Sequence, residues 1–108
     1  LYVVARMEQR FELSNLKVGI LGMAFKGESD DIRSSLAYKL RRILKFKASE
    51  VLCSDPYVVG DDRLVDEAHL LSRADVVVIA APHKRYASIE ISQPVIDIWN
   101  IRNQGVVI

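Results

Sequence analysis

The sequence predicts an α/β fold: a mostly parallel sheet flanked by helices and preceded by an N-terminal helix. Three observations carry this. The runs from Lys17 to Gly22 and from Ala74 to Ala81 are apolar without alternation, as strands covered on both faces must be. Strand-like runs alternate with stretches of helical spacing, the pattern of βαβ units with right-handed crossovers. Finally, 108 residues of which 50% are hydrophobic suffice for one domain with its own core.

Taken in order, residues 1–11 read as helix, with Val4, Met7 and Phe11 at helical spacing. The chain opens on Leu1, already inside that element, which predicts a piece of a longer protein whose first helix continues a preceding domain. Lys17 to Gly22 is the first strand. Ser34 to Lys47 is its crossover helix, with Leu36, Leu40, Ile43 and Leu44 on one face and Lys39, Arg41, Arg42, Lys45 and Lys47 on the remainder. Positive charge toward a helix C-terminus complements the dipole, so this basic face is read as solvated rather than as a docking site for an acidic partner. Glu50 to Ser54 forms a second strand, ended by Asp55-Pro56-Tyr57, where proline cannot donate to a ladder. A loop at residues 60–63 leads to a short helix, Asp66 to Ser72. Ala74 to Ala81, rich in β-branched residues, is the clearest strand and is closed by Pro82 and His83. A short helix over Lys84 to Ile89, a strand over Pro94 to Trp99 and an edge strand over Gly105 to Ile108 complete the prediction.

Charge and cysteine content narrow the function classes. Fifteen basic against fourteen acidic residues leave a formal charge of +1, so the overall field gives no reason to invoke nucleic acid or a membrane surface as partner. No apolar run approaches the roughly 18 residues of a membrane span. The lone cysteine, Cys53, sits in an apolar run and reads as a buried, inert thiol of a cytoplasmic, reducing compartment.

In parallel sheets ligands sit outside the carboxyl ends of the strands, near the point where strand order reverses. The residues to watch are therefore Met23 to Arg33, Asp55 to Tyr57, Pro82, His83, and Asp97 to Asn100. The glycines of the first turn, Gly19, Gly22 and Gly27, fit neither the three-glycine dinucleotide fingerprint nor a P-loop. A Rossmann-like sheet without a self-contained NAD site follows. In place of the glycine turn stands Gly22-Met23-Ala24-Phe25-Lys26, whose small residues permit close backbone approach and whose lysine is either a solvated loop residue or a point charge for phosphate or carboxylate. Asp30 and Asp31 are placed to cap the amides of the following helix; Arg33 is either held by them as structure or presented by them to an anion. No second His, Cys or Ser is arranged around His83 as a triad or metal set, so it reads as a turn-capping or pocket-rim residue. His69 offers less, and Trp99 reads as core. No catalytic residue and no metal ligand is assigned.

These residues resemble the C-terminal domain of the UDP-glucose/GDP-mannose dehydrogenases. The likeness is carried by Val18-Gly19-Ile20-Leu21-Gly22, Ala24-Phe25-Lys26, Asp30-Asp31-Ile32-Arg33-Ser34-Ser35, Asp55-Pro56-Tyr57, Ala74-Asp75-Val76-Val77-Val78 and Val95-Ile96-Asp97, from about Leu16 to Ile101. The Ala-Phe-Lys and Asp-Asp-Ile-Arg-Ser segments are the specific part. The resemblance implies an enzyme with an N-terminal NAD-binding domain, a central helical region used in dimerisation, and this Rossmann-like domain, which helps bind the sugar nucleotide. Such an enzyme oxidises the sugar C6 alcohol to a carboxylate in two NAD-dependent steps through a cysteine thioester; its catalytic cysteine lies in a glycine-rich segment before this domain, and Cys53 does not match it.

Residue by residue, the resemblance implies that Phe25 and Lys26 contact the UDP-sugar and that Arg33 reaches an NAD bound mainly by another domain. Where some members carry a phosphate-binding arginine two residues beyond the aspartate of the last strand, this chain has Trp99; Arg102 is not assigned that task. Residues 1–13 match the end of the helix joining the central region, and residues 14–108 the sugar-nucleotide-binding domain. The expectation is a domain inactive alone, from a parent that is a homodimer or larger and requires NAD. The alternatives are a non-catalytic nucleotide-binding or regulatory module and a small independent NAD-binding domain, the latter disfavoured by the glycine spacing.

Overall fold

The computed structural model of the chain describes residues 2–33 and 35–103. Helix α1 (Tyr2–Arg10) and a 3₁₀ turn (Leu13–Asn15) lead into β1 (Lys17–Leu21); α2 (Leu36–Lys47), β2 (Glu50–Ser54), α3 (Glu67–Arg73), β3 (Val76–Ile79), a second 3₁₀ turn (Lys84–Ala87) and β4 (Val95–Asp97) follow. The four strands form one parallel sheet in the order β2-β1-β3-β4. Ile20 of β1 stands opposite Cys53 on one side and Val78 on the other. The chain leaves β1 toward β2 and leaves β3 toward β4, so strand order reverses between β1 and β3. The crevice expected to hold a ligand lies beyond their carboxyl ends.

Strand periodicity of two divides the core into two layers. Val18, Ile20, Val76 and Val78 pack with Val4 and Met7 of α1 and with Ala37, Leu40 and Leu44 of α2. Leu21, Val77 and Ile79 face the opposite way, onto Leu70, Ala74 and Tyr86. This two-sided cover explains why β1 and β3 read as unbroken apolar runs. It also makes α1 part of the core rather than an appendage, because Val4 and Met7 are buried.

The elements differ from their sequence-based bounds for local reasons. Helix α2 begins at Leu36, capped by Ser35, whose Oγ accepts the Ala37 N–H at 3.2 Å. The expected strand from Ala74 to Ala81 contracts to Val76–Ile79 because Ala74 still closes α3 through its N–H to the Leu70 carbonyl. The strand expected over Pro94 to Trp99 ends at Asp97, whose buried carboxylate accepts the Ile101 and Arg102 amides at 3.1 and 2.9 Å and turns the chain. The helix expected over Lys84 to Ile89 is the shorter 3₁₀ turn. The edge strand expected over Gly105 to Ile108 lies outside the described residues.

Candidate functional site

The loop after β1 is fastened by its backbone from both sides; Met23 and Ala24 are buried, and Phe25 and Lys26 face solvent. Asp55, at the carboxyl end of β2, directs Oδ2 at the Met23 and Ala24 N–H groups, 2.7 and 3.0 Å away, and at His83 Nε2, 2.8 Å away. Its other oxygen accepts the Tyr57 N–H at 2.8 Å, a turn that suits Pro56 because proline has no N–H to place. A carboxylate buried this deeply is tolerable only when its lone pairs are taken, and here four donors take them.

His83, fully buried at the end of β3, completes the link. Its Nδ1 accepts the Glu28 N–H at 2.8 Å, which fixes the tautomer: Nδ1 is bare, and Nε2 carries the proton donated to Asp55. The imidazole lies between two tyrosines, with ring centroids 4.6 Å from Tyr57 and 5.4 Å from Tyr86. Glu28 itself adopts φ +49°, and its carboxylate accepts the Lys84 N–H at 2.7 Å. Gly27 is needed beside it, since a Cβ there would lie 2.6 Å from the Pro82 carbonyl oxygen. The loops after β1, β2 and β3 are thus one hydrogen-bonded unit.

Two consequences follow for anions. First, the amides that a dinucleotide fold aims at pyrophosphate are here bonded to Asp55, an internal carboxylate in the place of a phosphate. The crevice floor is also closed, because a Cβ on Gly22 would sit 2.7 Å from the Ala81 nitrogen. The residues of this chain therefore do not fit a dinucleotide pyrophosphate at this turn. Second, with the Met23, Ala24 and Phe25 amides bound internally, the side chains exposed at this edge are Phe25, at 50%, and Lys26. Among the described residues no side chain hydrogen-bonds the Lys26 ammonium.

Arg33 is 88% exposed along its side chain and is gripped in a bidentate pair, Nε to Asp31 Oδ1 at 3.0 Å and an Nη to Oδ2 at 2.9 Å. The guanidinium hydrogen bond, followed by the Arg33 amide, lowers the Asp31 carboxyl to about 2. Asp31 stays ionised across the physiological range, and its hold on Arg33 is lost only as pH falls toward that value. The expectation that Asp30 and Asp31 cap α2 is corrected here: Ser35 caps the helix, and its hydroxyl donates to the Met23 carbonyl at 2.7 Å, while Asp31 serves Arg33.

Trp99 is not core; it is 48% exposed and donates Nε1–H to the Ala80 carbonyl at 2.9 Å, which places it beside the carboxyl end of β3. Arg102 is committed to structure, bridging the Tyr86 and Ile89 carbonyls at 2.8 Å each. His83 does organise a turn, but from the interior rather than from a rim. His69 lies exposed on α3. Burial pushes the Cys53 thiol up to about 11, the condition of an unreactive cysteine. The native chain at pH 8 should therefore leave a thiol-specific disulfide reagent essentially unreacted until denaturant is added; rapid labelling of the folded chain contradicts this. Among the described residues no group of three or more His, Cys, Asp or Glu side chains is placed to hold a metal ion. A cleft of about 320 Å³ lies elsewhere, near the amino ends of β1 and β2, lined by Phe11, Leu13 and Lys47 among others.

The sequence marks Asp55-Pro56-Tyr57 as a strand stop at the ligand edge, but not the internal role of the Asp55 carboxylate in binding the neighbouring loops. The available signal was a carboxylate ending a buried strand with no basic neighbour in sequence.

The family described as "UDP-glucose/GDP-mannose dehydrogenase family, UDP binding domain" matches residues 19–104. A UDP-N-acetyl-D-mannosamine dehydrogenase of Pyrococcus horikoshii is 34% identical over 86 residues, covering 75% of this chain and 20% of that protein. The UDP-glucose 6-dehydrogenase AglM of Haloferax volcanii is 30% identical over 92 residues, covering 78% and 21%. Among solved structures, a UDP-glucose dehydrogenase from Pyrobaculum islandicum superposes with TM-score 0.76 at 30% identity, over 89% of this chain and 25% of that one. The chain thus spans about a fifth of the length of the curated relatives it matches. With a matching family signature over most of its length and a sheet shared with these dehydrogenases, the chain belongs to the UDP-glucose/GDP-mannose dehydrogenase family and carries its UDP binding domain.

Proposed function

We propose that residues 14–108 form the sugar-nucleotide-binding domain of an NAD-dependent dehydrogenase that oxidises the C6 alcohol of a UDP-sugar to a carboxylate, and that residues 1–13 are the end of the helix entering it. Phe25 lines the sugar-nucleotide site, and Lys26 meets its phosphates or the carboxylate of its product. Arg33, braced by Asp31, reaches the NAD held by a domain outside this chain. The observation that carries the reading is the loop after β1: its Met23, Ala24 and Phe25 amides are bound internally, while Phe25 and Lys26 are exposed at the carboxyl edge where parallel sheets bind ligands. Cys53 is buried with a raised thiol, so the chemistry belongs outside these residues and the chain alone reduces no NAD. The parent is read as a cytoplasmic homodimer or larger assembly; no described helix is long and apolar enough to cross a membrane.

Calorimetry with UDP on the wild-type chain and on Lys26→Ala tests the assignment. A charge-assisted hydrogen bond to phosphate is worth about 1.5 kcal/mol or more, so the variant should bind UDP about tenfold more weakly with an unchanged melting temperature. Equal affinity removes Lys26 from the site.

A further inference from the structure

We propose that His83 is a positioning residue for the nucleotide-sugar site: its bare Nδ1, by accepting the Glu28 N–H, holds the Phe25–Lys26–Gly27–Glu28 segment in the shape that receives the ligand. The inference rests on the assignment of Phe25 and Lys26 made above and adds what sets their geometry. His83 is fully buried and touches no solvent, so it acts through the loop and not on the ligand.

The segment has few other restraints. Upstream, the Met23 and Ala24 amides are fixed to Asp55 and the Phe25 amide to the Asp31 carbonyl. Downstream, Glu28 is held in a left-handed conformation, φ +49°, which non-glycine residues adopt only when their surroundings impose it. The imposing contacts are the His83 Nδ1 bond to its amide and the Lys84 N–H bond to its carboxylate. Between these anchors Phe25 and Lys26 lie on a short span whose ends are tied to β2 and β3. Release of the Glu28 end lets the left-handed residue relax and moves the lysine, since a charged group helps bind a phosphate only while it is held near the productive position.

The two nitrogens of His83 do separable work, and two substitutions separate them. His83→Asn keeps a polar atom near Nδ1, an acceptor for the Glu28 N–H, and gives up the bond to Asp55. His83→Gln keeps one near Nε2, a donor to Asp55, and gives up the Glu28 bond. Each loses one buried hydrogen bond and part of the stacking between Tyr57 and Tyr86, so thermal stability falls in both. UDP affinity should part them: His83→Asn stays within about threefold of wild type, and His83→Gln weakens by about tenfold, the cost of one hydrogen bond transmitted to the ligand. Hydrogen exchange on the wild-type chain provides a measurement independent of variant folding. The Glu28 amide belongs to an exposed residue, yet should exchange slowly before any ligand is added. Wild-type UDP affinity in His83→Gln, equal losses in both variants, or an unprotected Glu28 amide overturns the positioning role. Failure of the wild-type chain to bind UDP at all overturns instead the reading of the site on which it rests.

Discussion

Asp55→Ala should lower the stability of the chain by about 3–5 kcal/mol, read as the shift of a urea unfolding midpoint at constant slope. The side chain is buried and accepts from Met23, Ala24 and Tyr57 amides and from His83. Truncation leaves these donors facing an apolar gap, and an unsatisfied buried donor costs about 1–3 kcal/mol, with less than full additivity among neighbours. Small domains are stable by only about 5–15 kcal/mol, so the loss is a large share of the total. Asp55→Asn is the informative companion. One oxygen can still serve the Met23 and Ala24 amides, but the amide NH₂ then faces the Tyr57 N–H, donor against donor, and an intermediate loss of about 1–2 kcal/mol is expected. A loss below about 1 kcal/mol for Asp55→Ala contradicts the view that this carboxylate organises the carboxyl edge.

Gly22→Ala should cost a comparable amount, about 3–5 kcal/mol, by a different mechanism. The backbone there is left-handed, φ +93°, and an added Cβ would lie 2.6 Å from the Ala81 Cβ and 2.7 Å from the Ala81 nitrogen. The clash is with main chain, so it cannot be relieved by a rotamer change. Relief requires the loops after β1 and β3 to part, opening the crevice that the native chain keeps closed. The expected signature is a lowered melting temperature together with weaker binding of UDP; a variant as stable as wild type contradicts the close approach of these two loops.

These two residues also mark where the sequence was legible and where it was not. Two-sided burial imprints itself on composition, so β1 and β3 were readable as apolar runs, and Glu50–Ser54 was placed with the bounds the structure has. Parallel order fixes which strand ends face a ligand, and that put Phe25 and Lys26 at the candidate edge from position alone. The Asp55–His83 contact spans 28 residues and exists only because β2 and β3 flank β1; no local pattern announces it. For the same reason the sequence allows a turn-capping or a pocket-rim histidine at His83, and the structure makes it a turn-organising link from the interior. Trp99 reads as core because a large aromatic ring is usually buried, whereas here its indole N–H donates to the Ala80 carbonyl and about half of the residue stays in water. The acidic pair before α2 matched a capping pattern, but Ser35 lies nearer the first turn and Asp31 is occupied by Arg33.

The unusual glycine spacing now has a structural meaning. Gly22 lets the loops after β1 and β3 close on each other, and the amides that would otherwise serve a pyrophosphate are bonded to Asp55. What the loop leaves exposed is the Phe25 and Lys26 side chains, which the proposed site uses for its ligand, with Arg33 exposed beside them. Paired calorimetric titrations of the same preparation with UDP and with NAD test this most directly. The account predicts measurable, weak binding of UDP and hardly any of NAD; NAD binding more tightly than UDP would contradict it.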